Sequence, residues 1–124
     1  MNATRATVSA VLLLRVFYGL ALMAAPRRLA SRWLGEDAER AAAQVALRGL
    51  GAREVVLHGG AVLALRRQAR LRPWLAASVV GDLTDVIATA AERRRLPAGS
   101  PLATLAVGGG SALISVLLAG IVER

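Results

Sequence analysis

The sequence predicts an all-α fold, a bundle of four transmembrane helices with a short interfacial helix between the first and second, in one domain spanning residues 1–124. Four apolar segments are separated by Arg-rich links that contain Pro or Gly, and each has about the 20 residues needed to cross the hydrocarbon core. The chain is 56% hydrophobic but only 3% aromatic, so Ala, Leu and Val supply its apolar surface. It has no Cys and a single His, which excludes disulfides and a zinc site built on several such ligands.

The first span is predicted over residues 7–25, and Arg15 is its only charge. A signal peptide is the competing interpretation because Arg5 precedes an apolar run, but Arg15 interrupts that run and no good cleavage site follows. Residues 26–34 predict a short helix lying flat on the membrane, since Leu29 and Trp33 share an apolar face opposite several Arg. A solvated loop is the alternative for this segment.

The second, third and fourth spans are predicted over residues 44–65, 74–91 and 102–122. The third contains two Asp, each costing about 2.5–3.5 kcal/mol on insertion, so we expect it to enter the bilayer together with the second as a hairpin. The fourth has no charge and is apolar all round, which argues against the alternative of a soluble four-helix bundle. Its small residues, from Gly108–Gly110 to Ser111, Ser115 and Ala119, predict close helix approach; a phosphate-binding loop is not favoured because no Lys follows the glycines.

The formal charge is +8, and every basic residue is Arg. The charges within the spans cancel, so the links and ends carry the whole excess. This distribution favours a lipid bilayer as partner and no nucleic acid. Six Arg on one predicted side against seven on the other leave the orientation open.

Charged residues at similar depths predict a polar layer near the middle of the membrane. On the third helix Ser78, Asp82, Asp85, Thr89 and Glu92 recur at helical spacing and share one face. Such a face must look into the bundle, because lipid cannot satisfy carboxylates. We therefore expect three Arg to neutralise three acids in this layer: Arg15, Arg48 and Arg53 with Glu54, Asp82 and Asp85.

The layer has a structural and a functional interpretation. Ion pairs can hold weakly hydrophobic helices in register. Six charges and a histidine exceed what register requires, which favours a site. The predicted ligand-binding residues are Arg15, Tyr18, Arg48, Arg53, Glu54, His58, Asp82 and Asp85. The candidate catalytic residues are Glu54, His58, Asp82 and Asp85, with no metal site expected and the cofactor left open.

Three function hypotheses follow. The first is binding of a small amphiphile, or an accessory role in a larger membrane complex, with Arg meeting anionic or carbonyl oxygen. The second is a membrane-embedded enzyme that isomerises or opens the ring of a lipid-like substrate by acid–base chemistry, with Glu54 beside His58 or the pair Asp82/Asp85 as acid and base. The third is proton or ion transport, which requires a homo-oligomer because four helices make only a thin pore.

Two motifs carry a resemblance to known membrane proteins. The run from Arg48 to Glu54 (RGLGARE) and the run from Gly81 to Asp85 (GDLTD) resemble an R-x-x-G-x-R-[DE] and a D-x-x-D pattern of small actinobacterial four-helix membrane proteins of unknown function. The run from Arg15 to Gly19 (RVFYG) resembles the opening of DoxX-like proteins. This resemblance implies a four-helix membrane fold in a bacterial inner membrane and a redox or accessory role, although no cofactor ligand matches. The Lys-free, Ala- and Arg-rich composition is typical of a high-GC bacterium.

Overall fold

The structure is a computed structural model that describes residues 2–122, and this part of the chain is helical without any strand. Its elements are α1 (Ala3–Ala24), α2 (Pro26–Leu34), a 3-10 turn (Gly35–Glu39), α3 (Ala41–Arg66), α4 (Arg72–Ala91), α5 (Ser100–Thr104), a π-helical segment (Leu105–Gly109) and α6 (Gly110–Val122). The last three join end to end and are called the C-terminal helix. Arg124, which entered the comparison of charged sides, lies outside the described residues.

The helix ends follow from local chemistry. The Asn2 side chain caps α1 by accepting a hydrogen bond from the Arg5 backbone N–H at 2.9 Å. Pro26 opens α2 at the position where a missing N–H costs nothing, and Gly35 ends it with a φ of 60°, which glycine adopts without strain. The predicted short helix after the first long one is therefore confirmed as a helix.

Three helices are long and apolar enough to cross a membrane: Ala3–Ala24, Arg72–Ala91 and Ser100–Ile121. The 26-residue α3 is long enough as well, but Arg48, Arg53 and Glu54 interrupt its apolar surface. Composition thus identifies three of the four predicted spans. Large apolar side chains are exposed on all four long helices, among them Phe17, Val56, Ile87 and Leu102, as expected for surfaces that face lipid.

Each long helix packs against the long helix that follows it in the chain. α1 packs chiefly against α3, α3 against α4, and α4 against the C-terminal helix. Near one end, Val8, Leu12, Leu75 and Leu118 share a buried cluster that draws on all four long helices. At the other end, a second cluster around Leu22 joins α1, α2 and α3.

The backbones of α1 and α3 approach closely at Gly19 and Gly51. A Cβ on Gly19 would stand 2.6 Å from the Gly51 carbonyl oxygen, and a Cβ on Gly51 would stand 2.6 Å from the Gly19 carbonyl oxygen. Neither position can hold a side chain at this spacing. The two glycines therefore set the distance and register of α1 on α3.

We expect Gly51→Ala to destabilise the protein by about 1–3 kcal/mol, because the new methyl group overpacks a backbone contact. Gly49→Ala is the matched control, since a Cβ there meets nothing within 4 Å. Unfolding in mixed micelles, followed by circular dichroism, measures both. Equal stabilities for the two variants would contradict the glycine contact.

Candidate functional site

A single guanidinium group, that of Arg15, joins three helices. Its Nε and Nη2 donate to the two Glu54 carboxylate oxygens on α3 at 3.1 and 3.2 Å. Its Nη1 and Nη2 donate to the two Asp82 oxygens on α4 at 2.9 and 2.7 Å, and Nη1 also donates to Ser78 Oγ at 3.0 Å. A guanidinium has five N–H groups, and these five hydrogen bonds use all of them.

The glycine contact places these groups opposite one another. Arg15 lies one turn before Gly19 on α1, and Glu54 lies one turn after Gly51 on α3, so each shares a face with its glycine. On α4, Ser78 and Asp82 are likewise one turn apart and both are buried. The predicted convergence of the first three long helices on a shared polar layer is confirmed for Arg15, Glu54 and Asp82.

Hydrogen bonds extend the polar layer from Arg15 through Ser78 to His58. The His58 Nδ1 lies 2.8 Å from the Glu54 carbonyl oxygen, which only accepts, so Nδ1 carries a proton. Its Nε2 lies 2.9 Å from Ser78 Oγ, and in the neutral imidazole this nitrogen accepts the serine proton. The direction of donation is therefore Arg15 to Ser78 to His58 to the α3 backbone.

Arg53 forms a second, more exposed pair with Asp85 of α4. Consecutive residues of a helix point about 100° apart, so Arg53 and Glu54 meet different partners. The Arg53 Nη2 donates to Asp85 Oδ2 at 2.8 Å, while the nearest Glu54 oxygen is 3.8 Å away. The guanidinium crosses over Gly81 of α4, where an added Cβ would stand 3.1 Å from Arg53 Cζ. Arg53 Nε is buried and has no hydrogen-bond partner among the described residues.

The structure does not bring Arg48 into this layer. Its side chain is exposed, and its Nε donates at 3.1 Å to the carbonyl oxygen of Met23 near the end of α1. The expected balance of three Arg with three acids is therefore replaced by two guanidinium groups and three carboxylates. Glu92, placed on the same face as Asp82 by its spacing, is exposed and lies 3.7 Å from Arg95.

A cavity of about 640 Å³ opens between α1 and the C-terminal helix. Arg15, Glu54, Asp82 and Asp85 lie along its polar wall, and Tyr18 stands beside them on α1. Its apolar wall comes from several elements: Leu14, Leu29, Leu50, Ala103 and Val107. The cavity thus presents carboxylates and hydrocarbon surface to the same occupant.

The π-helical segment and α2 both contribute to the wall of the cavity. Gly108, in the π segment, approaches α4 so closely that a Cβ would stand 3.2 Å from the Asp82 carbonyl oxygen. Trp33 of α2 donates from Nε1 to Thr89 Oγ1 at 2.9 Å, and its carbonyl oxygen accepts from Ser100 Oγ. These bonds hold α2 across α4 and α5, with Arg32 and Trp33 on the cavity rim.

Not every predicted site residue reaches the cavity. His58 is 1% exposed and does not line it, and Arg48 and Arg53 are also absent from its wall. Sequence reasoning missed the walls contributed by Leu29, Arg32 and Trp33. The amphipathic pattern of residues 26–34 was the available signal, but it does not specify which helix α2 lies against.

No model of a protein family, no curated protein and no solved structure matches the chain. The resemblance to DoxX-like and actinobacterial four-helix proteins therefore stays a prediction. No group of three or more His, Cys, Asp or Glu suited to holding a metal ion occurs among residues 2–122.

We expect Arg15→Met to destabilise the protein by about 3–5 kcal/mol, because it leaves buried carboxylates without their cation. Arg40→Met is the matched control: Arg40 pairs with Asp37 at 2.9 Å, but both side chains are more than half exposed, so the loss should stay within about 1 kcal/mol. The same micelle unfolding assay compares them. A cost at Arg15 no larger than at Arg40 would contradict the central role of Arg15.

Ser78→Ala should cost about 1–3 kcal/mol, because it leaves one Arg15 N–H and His58 Nε2 without a partner in a buried position. Ser111→Ala removes a hydroxyl that makes no side-chain hydrogen bond among the described residues, and it should change stability by less than about 0.5 kcal/mol. Thermal unfolding in detergent separates the two. The hydrogen-bonded chain through His58 is refuted if Ser78→Ala is as stable as Ser111→Ala.

Proposed function

We propose that this chain is a four-span membrane protein that binds a small amphiphile in the cavity between α1 and the C-terminal helix. The observation that carries this proposal is a cavity of about 640 Å³ with one wall of charged side chains, namely Arg15 and three carboxylates, and one wall of hydrocarbon. Its volume lies within the range of roughly 300–1,000 Å³ usual for small-molecule sites. A purely structural ion layer needs no such space beside it.

The fourth span in this proposal is α3. Its 26 residues extend about 39 Å at 1.5 Å per residue, enough to cross the hydrocarbon core. The charges that interrupt it are shielded: Glu54 is buried against Arg15, and Arg53 is paired with Asp85 across α4. Arg48 lies nearer the N-terminal end of the helix, where a long side chain reaches toward the interface.

The geometry favours binding over acid–base catalysis. In the catalytic hypothesis Glu54 and His58 act as acid and base, but both His58 ring nitrogens are engaged in hydrogen bonds and its side chain lies behind the cavity wall. Both oxygens of Glu54 and of Asp82 are held by Arg15. Proton exchange through Glu54 or Asp82 would first require breaking the contacts that join three helices, and Asp85 alone supplies only one of the two groups that the hypothesis needs.

Filling the cavity tests the proposal. Ala103 lines the cavity, whereas Ala106, three residues along the same helix, is exposed and does not line it. Ala103→Phe should abolish retention of the amphiphile while the protein stays folded, and Ala106→Phe should leave it unchanged. Native mass spectrometry of protein extracted from membranes in a mild detergent measures the bound mass.

Because each Phe adds the same apolar bulk, unspecific lipid adsorption affects both variants alike. Wild-type protein that carries no bound amphiphile, or equal retention by the two variants, would overturn the proposal.

A further inference from the structure

Among the three carboxylates of the cavity wall, Asp85 alone has an uncommitted oxygen. Both oxygens of Glu54 and both oxygens of Asp82 accept from Arg15. Asp85 accepts from Arg53 through Oδ2 only, and Oδ1 has no partner among the described residues. The Asp85 side chain is 27% exposed, and the residue lines the cavity.

The polar layer also contains more negative than positive charge. Two guanidinium groups, from Arg15 and Arg53, face three carboxylates, and Arg48 lies outside the layer. A neutral His58, which its hydrogen bonds accommodate, adds no positive charge. An occupant beside Asp85 therefore meets an excess negative charge at a partly buried position, where charge pairing is stronger than in bulk water.

Within the described part of the chain, no guanidinium with a free N–H lines the cavity at this depth. Arg15 has used all five of its N–H groups, and Arg53 does not line the cavity. Arg32 is the remaining guanidinium on the wall, and it lies exposed on the rim formed by α2. The expectation that buried Arg side chains bind an anionic or carbonyl group is thus not supported by their hydrogen bonds.

We propose that the amphiphile bound in this cavity is cationic, an alkyl amine whose ammonium group lies against Asp85 Oδ1 and whose chain lies along Leu14 and Val107. This inference rests on the proposed function, because it assigns a headgroup to the ligand of the same cavity. The Tyr18 ring lines the same wall and adds an aromatic surface of the kind that attracts ammonium groups.

The experiment compares three probes that share one alkyl chain: dodecylamine, dodecan-1-ol and dodecanoate. The chain has two tryptophans, and Trp33 lies on the cavity rim. A Trp74→Phe background leaves Trp33 as the only indole, so its fluorescence reports occupancy. The protein is placed in nanodiscs of neutral lipid at neutral pH, and the Ala103→Phe variant in the same background measures partition of each probe into lipid.

We expect dodecylamine to bind about tenfold or more tightly than dodecan-1-ol, as for a hydrogen bond between charged rather than neutral groups, and dodecanoate to bind most weakly. Asp85→Asn should bring the amine down to the affinity of the alcohol. Asp37→Asn is the matched control, because Asp37 is exposed and pairs with Arg40 away from the cavity. Arg53→Gln frees Asp85 Oδ2 and should tighten the amine further.

The outcomes separate the two proposals. If no probe changes Trp33 fluorescence beyond the Ala103→Phe blank, amphiphile binding itself fails. If the alcohol or the carboxylate binds as tightly as the amine, the cationic headgroup is wrong while amphiphile binding stands. Should Asp85→Asn not fold, the ranking of the three probes on the Trp74→Phe protein with Asp85 intact still decides the question.

Discussion

The arrangement of α1, α3 and α4 depends on one guanidinium group whose five N–H donors all form hydrogen bonds. Arg15 satisfies its five donors with Glu54 of α3 and with Ser78 and Asp82 of α4. Removing any one acceptor leaves a charged donor or a carboxylate without its partner in a place that water reaches poorly. The layer therefore specifies one relative rotation of three helices and acts together with the contact of Gly19 and Gly51.

The same hydrogen bonds give the cavity its chemical character. Because all five Arg15 donors are used by Glu54, Ser78 and Asp82, the cavity keeps the excess negative charge of three carboxylates beside two guanidinium groups. The gap itself arises because helices that are neighbours in the chain pack closely, whereas α1 and the C-terminal helix meet in the buried cluster around Leu12 and Leu118 and leave space at the α2 end. Asp85 therefore lies where the cavity and the excess negative charge coincide.

Much of this architecture could be predicted from the sequence, because periodicity and depth are linear properties of a chain. The spacing of Ser78 and Asp82 revealed one polar face, and the one-residue offset of Arg53 from Glu54 indicated that they meet different partners. Arg48 was misplaced because it lies six residues, or about 9 Å along the helix, before Glu54, and there its side chain reaches the Met23 carbonyl oxygen instead of the layer. The cavity was beyond prediction, since it depends on how far the C-terminal helix stands from α1.

The wide separation of Arg15 from its partners along the chain bears on how the protein enters a bilayer. Glu54 lies 39 residues after Arg15, and Asp82 lies 67 residues after it. A ribosome therefore completes α1 well before any acceptor for its guanidinium exists. An unpaired Arg at the centre of a span costs about 2.5–3.5 kcal/mol, and in a bilayer the Leu and Val of α1 would have to offset that cost until α3 and α4 supply the acceptors. In the proposed four-span arrangement, the pairing of Arg15 is therefore completed only by helices that are made later.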